Sequence, residues 1–393
     1  MKILSFLNVS NISNLEADSG YVFARLVLHE LIKCGHEVIF VGPQGMPNLA
    51  SEIKVIEIDF PHSKYGVRFG FPWVDLWSRL SAVIAGTDIV IVNQSELTVP
   101  LAMMVFEMLG KRIPCVTYYH YLAVQDVKDG AVIFDPSLDD YSVANFVWRR
   151  QVESAEFSDC NIIGSEFGKG LFLRAAGNNN GLSNKFTVIP PPVPECSKHC
   201  KKVPGGVTTI LYNHRLYEHY GTRQIFNVLK DLSACHEFTV MVTDPTHKRS
   251  VIREKLDGSV TDLKRWIGTF PFARFQHPET QTDYANAIAS ADIALAPMRI
   301  GALWSMAMAD AMSVGVPVVA PDEGAYPEVV GDRELLFSSP GELHRILDRL
   351  LSDPALRRSK GAAAKKRTEA ISAELIGERF ESTFMSTIER KKR

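Results

Sequence analysis

Short apolar runs alternate along this chain with longer segments in which apolar residues recur at every third or fourth position. The short runs have the length of buried strands, and the longer segments have the period of helices with one apolar face. Regular alternation of the two is typical of α/β folds built on parallel sheets. The predicted strands are 3–9, 36–41, 53–58, 88–92, 114–119, 161–163, 187–189, 208–212, 238–242, 273–276, 293–296 and 316–320. The predicted helices are 21–33, 222–233, 283–290, 305–313, 340–351 and most of 355–393.

The alternation is interrupted once and then restarts. Between the prolines at 190–192 and residue 206 the chain is rich in Pro, Lys, Cys and Gly without periodicity, which predicts a linker. A length of 393 residues also exceeds what one core usually serves. We therefore predict an α/β protein with a doubly wound domain at 1–195 and a second at 196–372.

Composition and charge exclude few classes of protein. Hydrophobic residues make up 46% and charged residues 22% of the chain, as in ordinary globular proteins. The formal net charge of −2 gives no overall attraction to nucleic acid or membranes, and a local basic patch remains open. There is no apolar run of about 18 residues, and residues 1–7 fit a first strand better than a signal peptide. We predict no transmembrane segment and a cytoplasmic location.

The six cysteines are scattered, which fits a reduced protein. Cys196 and Cys200, with His199 and His236, invite a zinc interpretation, but their spacing is poor and the two cysteines fall in the predicted linker. We predict no metal site.

The most informative segment is 302–321, which predicts a loop, a helix that begins at Ser305, a turn at Gly315 and a buried strand. The first backbone N–H groups of a helix, here from Ser305 and Met306, have no partner within the helix and carry a positive dipole end that suits a phosphate. Asp310 lies one to two turns further on, in an otherwise apolar helix, where its carboxylate could hold a ribose hydroxyl. This combination predicts a site for a nucleoside diphosphate, with a solvated surface carboxylate as the alternative for Asp310.

The runs 310–320 and 324–332 resemble the donor-site signature of retaining GT-B glycosyltransferases of group 1, or family 4. That resemblance implies two Rossmann-like doubly wound domains facing across a cleft, with a helix at 373–393 that returns to the first domain. It also implies a nucleotide sugar, UDP- or GDP-linked, as donor substrate, no cofactor, and transfer without a metal. The family carries two glutamates eight positions apart. Asp310 stands at the second, which contacts the ribose, and Ala302 stands at the first, which lies near the transferred sugar.

Arg215 follows the predicted strand 208–212, where a guanidinium suits a bidentate grip on a diphosphate. Family members place an arginine here and a lysine five residues later, but this chain has Tyr220 at the second position. Arg223 or His219 is then the candidate for the second positive charge, and a structural salt bridge is the alternative role for Arg215. Residues 210–215 also resemble the glycosyltransferases that mannosylate queuosine in transfer RNA.

Ser19 and Gly20 follow the first strand, at the edge where doubly wound sheets bind ligands, and such small residues let the backbone approach a phosphate or sugar of the donor. A plain turn explains the two residues alone equally well, but the family resemblance favours the binding role. His120 follows the strand 114–119 and stands where related enzymes keep a histidine beside the donor sugar. A histidine stacked among tyrosines is the alternative. Residues 93–95 are predicted to line the same crevice near the acceptor, and Ser165 is predicted to cap a helix.

The acceptor is the least determined part of the prediction. Loops 60–80 and 121–150 match no motif, but they interleave aromatic residues with Lys64, Arg68, Arg79 and the pair at 149–150, a pattern found in single-stranded nucleic-acid binding. Ordinary packing with solvated charges is the alternative. In size and layout the chain resembles phage enzymes that glucosylate hydroxymethylcytosine in DNA.

The resulting hypothesis is a retaining enzyme in which Arg215 and the helix start at Ser305 stabilise the leaving diphosphate. Asp310 holds the ribose and His120 positions the sugar for transfer to an acceptor hydroxyl, with a modified base of DNA or RNA as one acceptor candidate. The alternatives are a glycan, lipid or small-metabolite acceptor, or a non-catalytic nucleotide-sugar-binding scaffold. The base, the sugar and the oligomeric state do not follow from these residues.

Overall fold

The structure is a computed structural model that describes residues 1–7, 9, 15, 18–45, 49–59, 66–70, 72–139, 143–177, 180–194, 206–243 and 259–392. Lys64 and most of the predicted linker, with Cys196, His199 and Cys200, lie outside these residues. The described chain divides into two compact units, which we call unit 1 (residues 1–192 and 373–393) and unit 2 (residues 193–372).

Unit 1 is built on a parallel sheet of seven strands in the order β3-β2-β1-β4-β5-β8-β9. The central strands β1, β4 and β5 consist mostly of buried apolar residues, as is typical of parallel sheets covered on both faces. The strands are β1 Lys2–Phe6, β2 Glu37–Pro43, β3 Lys54–Ile58, β4 Ile89–Val92, β5 Cys115–Tyr119, β8 Cys160–Ile163 and β9 Phe186–Val188. The helices are α1 Ser19–Lys33, α2 Gly66–Phe69, α3 Trp73–Ser81, α4 Thr98–Leu109, α5 Pro136–Asp139, α6 Ala144–Phe157, α7 Glu166–Ala175 and α8 Asn180–Ser183.

A small antiparallel hairpin, β6 Val124–Lys128 and β7 Ala131–Phe134, stands apart from the seven-stranded sheet. Its turn contains Asp129 and Gly130, which have φ angles of +51° and +78°. An Asp-Gly pair with positive φ at both residues is a strong signal for a two-residue hairpin turn. The sequence prediction did not include this hairpin, although the signal is present in a loop that it left without a motif.

Unit 2 repeats the design with six parallel strands in the order β12-β11-β10-β13-β14-β15. The strands are β10 Thr208–Tyr212, β11 Phe238–Val242, β12 Ala273–Phe275, β13 Ile293–Leu295, β14 Val318–Pro321 and β15 Leu336–Phe337. The helices are α9 Thr222–Leu232, α10 Ser259–Ile267, α11 Gln281–Ser290, α12 Met306–Ser313, α13 Tyr326–Val330, α14 Pro340–Ser352 and α15 Pro354–Thr368. The prediction of an α/β protein with two doubly wound domains is confirmed.

The last helix, α16 Ala373–Lys392, packs against α1 within unit 1. Phe380 is fully buried and meets Phe23 edge to face, with ring centroids 5.5 Å apart. Gly377 lies so close to Glu30 that a Cβ atom at this position would overlap with the Glu30 side chain, which explains glycine there. No helix in the described part of the chain is long and apolar enough to cross a membrane.

In both sheets, successive strands are first added on one side of the first strand and then on its other side. In unit 1 the order departs from β1 toward β2 on one side and β4 on the other, and in unit 2 it departs from β10 toward β11 and β13. Ligands of open α/β sheets bind outside the carboxyl ends of the strands at such a switch point. Residues that follow β1, β4, β5, β10 and β13 are therefore the first place to look for function.

Candidate functional site

The switch point of unit 2 is closed by contacts between the segment after β10 and the segment after β13. The backbone N–H of Met298 donates to the carbonyl of Tyr220 at 2.8 Å. Gly221 has a φ of +66°, and a Cβ atom there would lie 2.8 Å from the Met298 side chain. His214 is buried, and its Nε2 lies 3.1 Å from the Leu295 carbonyl. The two segments that were predicted to bind a diphosphate are thus held side by side.

His214 itself is part of the framework. Its pKa is lowered to about 3, mainly by burial; the hydrogen bond to the Leu295 carbonyl opposes this fall, and the positive charge of Arg299 adds to it. The ring is therefore neutral at physiological pH and donates its Nε2 hydrogen to the Leu295 carbonyl.

Helix α12 begins as predicted, directly after Ser305. Ser305 is extended, with φ −130° and ψ 99°, and its side chain makes no capping hydrogen bond. Gly315, with φ +83°, follows the other end and donates from its N–H to the Met312 carbonyl at 2.9 Å, as glycine commonly does after a helix. Because the cap does not use the Ser305 hydroxyl, the first amides of α12 lack the side-chain acceptor that usually satisfies them.

Asp310 is at the end of a chain of hydrogen-bonded side chains. The Thr243 hydroxyl donates to Asn213 Oδ1 at 2.6 Å, and Asn213 Nδ2 donates to the Tyr284 hydroxyl at 2.8 Å. The Tyr284 hydroxyl in turn donates to Asp310 Oδ2 at 3.1 Å. Asp310 is only 9% exposed, so the interpretation as a solvated surface carboxylate is wrong.

Burial also changes the acidity of this carboxyl. The loss of hydration raises the pKa of Asp310 to about 7, and the Tyr284 hydrogen bond opposes this rise. The sequence analysis did not identify Tyr284 or Thr243. Both come from other elements of the chain, and no local spacing relates them to Asp310.

The basic residues of this edge differ in their surroundings. Arg215 is exposed and forms no ion pair with any described residue, so nothing in the described part of the chain supports the salt-bridge alternative. Arg223 instead binds both carboxylate oxygens of Glu218, at 2.9 and 3.2 Å, and lies over the Trp266 ring at 5.0 Å. His219 stacks on Tyr217 with ring centroids 5.2 Å apart. The guanidinium of Arg299, which the sequence analysis did not consider, lies 5.8 Å from the centre of the Tyr220 ring.

Ala302 is buried beneath Gly324. The Ala302 carbonyl accepts from the N–H of Ala325 at 2.9 Å, and a Cβ atom on Gly324 would lie 3.1 Å from the same oxygen. Close by in the sequence, the Trp304 indole Nε1 is buried without a hydrogen-bond partner among the described residues. The position at which the resemblance expects a glutamate therefore contributes packing.

In unit 1, the predicted residues Gly20 and His120 are close together. A Cβ atom on Gly20 would lie 3.8 Å from His120 Cδ2, and only 3.2 Å from Asp18 and Leu7. Ser19 begins α1, which is capped by Asp18 through a 3.0 Å bond from the Tyr21 N–H. Glycine at position 20 thus leaves room at the end of β1.

His120 meets the Tyr118 ring at 4.5 Å and the Phe23 ring at 4.9 Å, both edge to face. Burial lowers its pKa to about 3, so the ring is neutral, and its Nε2 atom has no hydrogen-bond partner within the described chain. The histidine therefore packs edge to face among aromatic rings, close to one of the two interpretations from the sequence, and its Nε2 atom is left without a partner.

Several basic residues of the first unit that suggested nucleic-acid binding are matched by carboxylates. Arg68 pairs with Glu96 at 2.5 Å, Arg79 with Asp75 at 2.7 Å and Arg150 with Glu153 at 2.9 Å. These pairs favour the alternative of ordinary packing. The prediction for Ser165 is confirmed, because its hydroxyl accepts from the Gly168 N–H at 3.0 Å at the start of α7.

Two sequence profiles match this chain. One, described as Glycosyl transferases group 1, matches residues 215–353, and the other, Glycosyltransferase Family 4, matches residues 22–195. No curated protein matches the chain significantly in sequence.

Solved structures show the same fold over nearly the whole chain. Sucrose-phosphate synthase from Thermosynechococcus elongatus is 16% identical with a TM-score of 0.70, and the match covers 98% of each chain. HepE of Anabaena, in complex with UDP-glucose, is 16% identical with a TM-score of 0.69, over 98% of this chain and 100% of that one. Trehalose-6-phosphate synthase, studied for glycosyl transfer with retention, is 13% identical with a TM-score of 0.65, over 98% and 99%.

Proposed function

We propose a specific reaction for this chain, which belongs to the group 1 glycosyltransferases and is therefore a sugar-transferring enzyme of the GT-B fold. In this reaction a hexose moves from a UDP-linked donor to an acceptor hydroxyl, with retention at the anomeric carbon and without a metal. The observation that supports it best is the buried Asp310 carboxyl, held by Tyr284 inside α12.

Asp310 is proposed to bind the ribose of the donor. A carboxylate with one oxygen already bonded to Tyr284 has further lone pairs, and these accept hydrogen bonds from neighbouring hydroxyl groups. Hydrogen bonds to a charged group are stronger than those between neutral groups, which suits a ribose diol. The rigid chain from Thr243 through Asn213 and Tyr284 fixes the orientation of the carboxyl before the nucleotide arrives.

The diphosphate is proposed to lie between Arg215 and the start of α12. Arg215 is unpaired among the described residues at the end of β10, and the uncapped amides of α12 follow the neighbouring strand β13. A guanidinium and a helix start stabilise negative charge that develops on a departing phosphate. They would take the place of a metal ion in this role, which is why we propose metal-independent transfer.

The proposed transfer is a front-face attack. The acceptor oxygen forms its bond to the anomeric carbon on the side from which the nucleoside diphosphate departs, and its proton passes to the departing phosphate oxygen. Retention is supported by the relative studied for transfer with retention, and uridine by the HepE complex with UDP-glucose. His120 is proposed to position the sugar through its unpartnered Nε2 atom, as a neutral ring.

A modified base of DNA or RNA remains the second acceptor candidate. It is supported by aromatic residues interleaved with basic ones in the segments 66–80 and 143–150. The ion pairs of Arg68, Arg79 and Arg150 count against it, because paired cations release fewer counterions from a phosphate backbone.

The test is a turnover assay with UDP-glucose, GDP-mannose and their hexose analogues, run without acceptor, with neutral sugars, with hydroxymethylated DNA and with transfer RNA. We expect UDP release from a UDP-hexose that an acceptor accelerates and that persists after treatment with a chelator. Nucleotide release from GDP-sugars and not from UDP-sugars would show that the proposed UDP-linked donor is wrong. Loss of activity with the chelator would contradict the metal-independent mechanism.

A further inference from the structure

The loop between β13 and α12 carries an arginine to which the sequence gave no role. Arg299 is half-buried, and its backbone N–H donates to the Pro297 carbonyl at 2.9 Å. Gly301, two residues later, has a φ of +68°, and the chain then reaches the start of α12 at Ser305. Arg299 therefore lies in a tight turn at the carboxyl edge of the sheet of unit 2, a few residues before the uncapped helix start.

The Tyr220 ring supports this arginine. The Arg299 guanidinium lies 5.8 Å from the centre of the ring, within the range of a cation–π interaction. Tyr220 is itself buried and meets the rings of Tyr217 at 5.2 Å and His219 at 4.8 Å, both edge to face. Its carbonyl accepts from the N–H of Met298, the residue before the arginine. These contacts fix Arg299 against the segment that follows β10.

The positive charge of Arg299 acts on groups of two neighbouring segments. Burial lowers the pKa of His214, after β10, and the charge of Arg299 adds to this fall. Burial raises the pKa of Tyr326, after β14, and the charge of Arg299 opposes this rise more strongly than the exposed Glu323 supports it. Because β10, β13 and β14 are adjacent in the sheet, the charge of Arg299 lies in the middle of this edge.

The basic residues first considered for a second positive charge are engaged elsewhere. Arg223 binds both carboxylate oxygens of Glu218, which offsets its charge, and His219 stacks on Tyr217. Arg215 follows β10, and Arg299 follows the adjacent strand β13. The two arginines therefore belong to neighbouring strand ends at the switch point of the sheet.

We propose that Arg299 binds the diphosphate of the donor together with Arg215, and that Tyr220 is a positioning residue that holds Arg299 through its ring face. This inference rests on the proposed glycosyl transfer and specifies how the leaving diphosphate is stabilised. A cation–π contact uses the face of a guanidinium, whereas phosphate oxygens bind at its edge, so the ring and a phosphate do not compete. A second guanidinium adds to the stabilisation of the charge that the diphosphate gains as the sugar departs.

The experiment compares the binding of UDP and of uridine to the full chain by ligand-detected NMR titration. We expect Arg299→Ala to weaken UDP binding about 10-fold or more, because it removes hydrogen bonds from a charged donor. Uridine has no phosphate, so its binding should stay within about 2-fold of the wild type. A merely structural role for Arg299 would weaken both ligands alike.

Arg223→Ala is the matched control. Its guanidinium also lies over an aromatic ring, that of Trp266 at 5.0 Å, but it is paired with Glu218. UDP binding to this variant should therefore stay within about 3-fold of the wild type.

Variants of Tyr220 test the positioning role. Tyr220→Leu should weaken UDP binding by about 3-fold, the size of one cation–π contact, and leave uridine binding unchanged. A lysine at this position would place an ammonium group beside the space that the Arg299 guanidinium occupies. Adding Tyr220→Lys to Arg299→Ala should therefore recover about 3-fold or more of the lost UDP affinity.

UDP affinity that Arg299→Ala leaves unchanged overturns the proposal, and so does an equal loss of UDP and uridine binding. If Arg299→Ala does not fold, Arg299→Lys, which keeps the charge but loses the planar fork, should still weaken UDP binding and spare uridine. Arg215→Ala separates the two levels of inference. If the wild-type chain does not bind UDP, the proposed function fails. If UDP binding depends on Arg215 and not on Arg299, only the second arginine is wrong.

Discussion

The two sheets have the same switch-point topology but finish their carboxyl edges differently. At the edge of unit 2, Thr243, Asn213, Tyr284 and Asp310 form a continuous hydrogen-bonded chain, and Trp304 Nε1 is the one unpartnered buried polar atom recorded there. In unit 1, four such atoms belong to residues 68, 93, 120 and 121, of which the last three follow β4 and β5. The difference teaches that the side chains at the edge of unit 2 satisfy one another's hydrogen bonds before any ligand arrives. The side chains of unit 1 leave several buried polar atoms without a partner in the described chain.

The largest effect on activity should come from the loss of Arg215 in unit 2. Arg215→Ala should lower kcat/KM by about 100- to 1,000-fold, because it removes charge stabilisation of the departing diphosphate. The thermal midpoint should change little, since Arg215 is exposed and unpaired among the described residues. Steady-state kinetics with the donor at several concentrations provide the measurement.

Arg223→Ala is the control for that variant. Its guanidinium is occupied by Glu218 and Trp266, so its kcat/KM should stay within about 3-fold of the parent chain. Equal losses in both variants would mean that the diphosphate is bound by Arg223 as well.

The next effect concerns the protonation of Asp310. The folded protein holds this proton up to a pH of about 7, whereas the unfolded chain loses it near pH 4. The folded state therefore binds more protons between these values, and the stability of the nucleotide-free protein should fall as pH rises from 4 to 7. Asp310→Asn should remove that fall and raise the thermal midpoint at pH 8.

Nucleotide binding should depend on pH in the opposite sense. The ionised carboxylate accepts stronger hydrogen bonds from ribose hydroxyls, so UDP affinity should rise about 10-fold from pH 6 to pH 8. In Asp310→Asn the affinity should be low at both values. Calorimetric titrations across this range are the measurement, and a wild-type affinity that falls with pH would refute the ribose contact.

A smaller effect is expected from Tyr284, the direct hydrogen-bond partner of Asp310. Tyr284→Phe removes the donor to Asp310 and the acceptor of Asn213, so UDP binding should weaken about 5-fold and stability should drop by about 1 kcal/mol. The apparent pKa that governs UDP binding should also rise, because the Tyr284 hydroxyl lowers the pKa of Asp310. An unchanged pH profile would show that Tyr284 only packs.

The smallest effect should come from Gly20 in unit 1. Gly20→Ala places a methyl group 3.2 Å from Asp18 and Leu7 and 3.8 Å from His120, so its neighbours must shift by a few tenths of an ångström. We expect a 2- to 3-fold rise, roughly, in acceptor KM with UDP affinity unchanged. Gly35→Ala, a change at an exposed turn with φ +82°, is the contrast, since it should affect stability alone.

The sequence predicted the repeated α/β pattern, the helix after Ser305 and the special carboxylate at position 310, because each is encoded in a short local run. It did not predict Tyr284 and Thr243, since their contacts to Asp310 and Asn213 depend on how α11 and β11 pack. It considered Arg68 only as part of a basic loop. The buried pairing with Glu96, 28 residues away, reverses that meaning and depends on tertiary structure. The hairpin turn at Asp129 and Gly130 could have been predicted from the Asp-Gly pair alone, but the sequence prediction did not include it.

The most direct measurement is a calorimetric titration of UDP into the wild-type chain, Asp310→Asn and the control Asp231→Asn at pH 8. Asp231 is exposed near the end of α9, so its variant should bind UDP like the wild type. We expect Asp310→Asn to bind at least about 10-fold more weakly than both. Equal affinities for all three proteins would contradict the placement of the nucleotide at the carboxyl edge of unit 2.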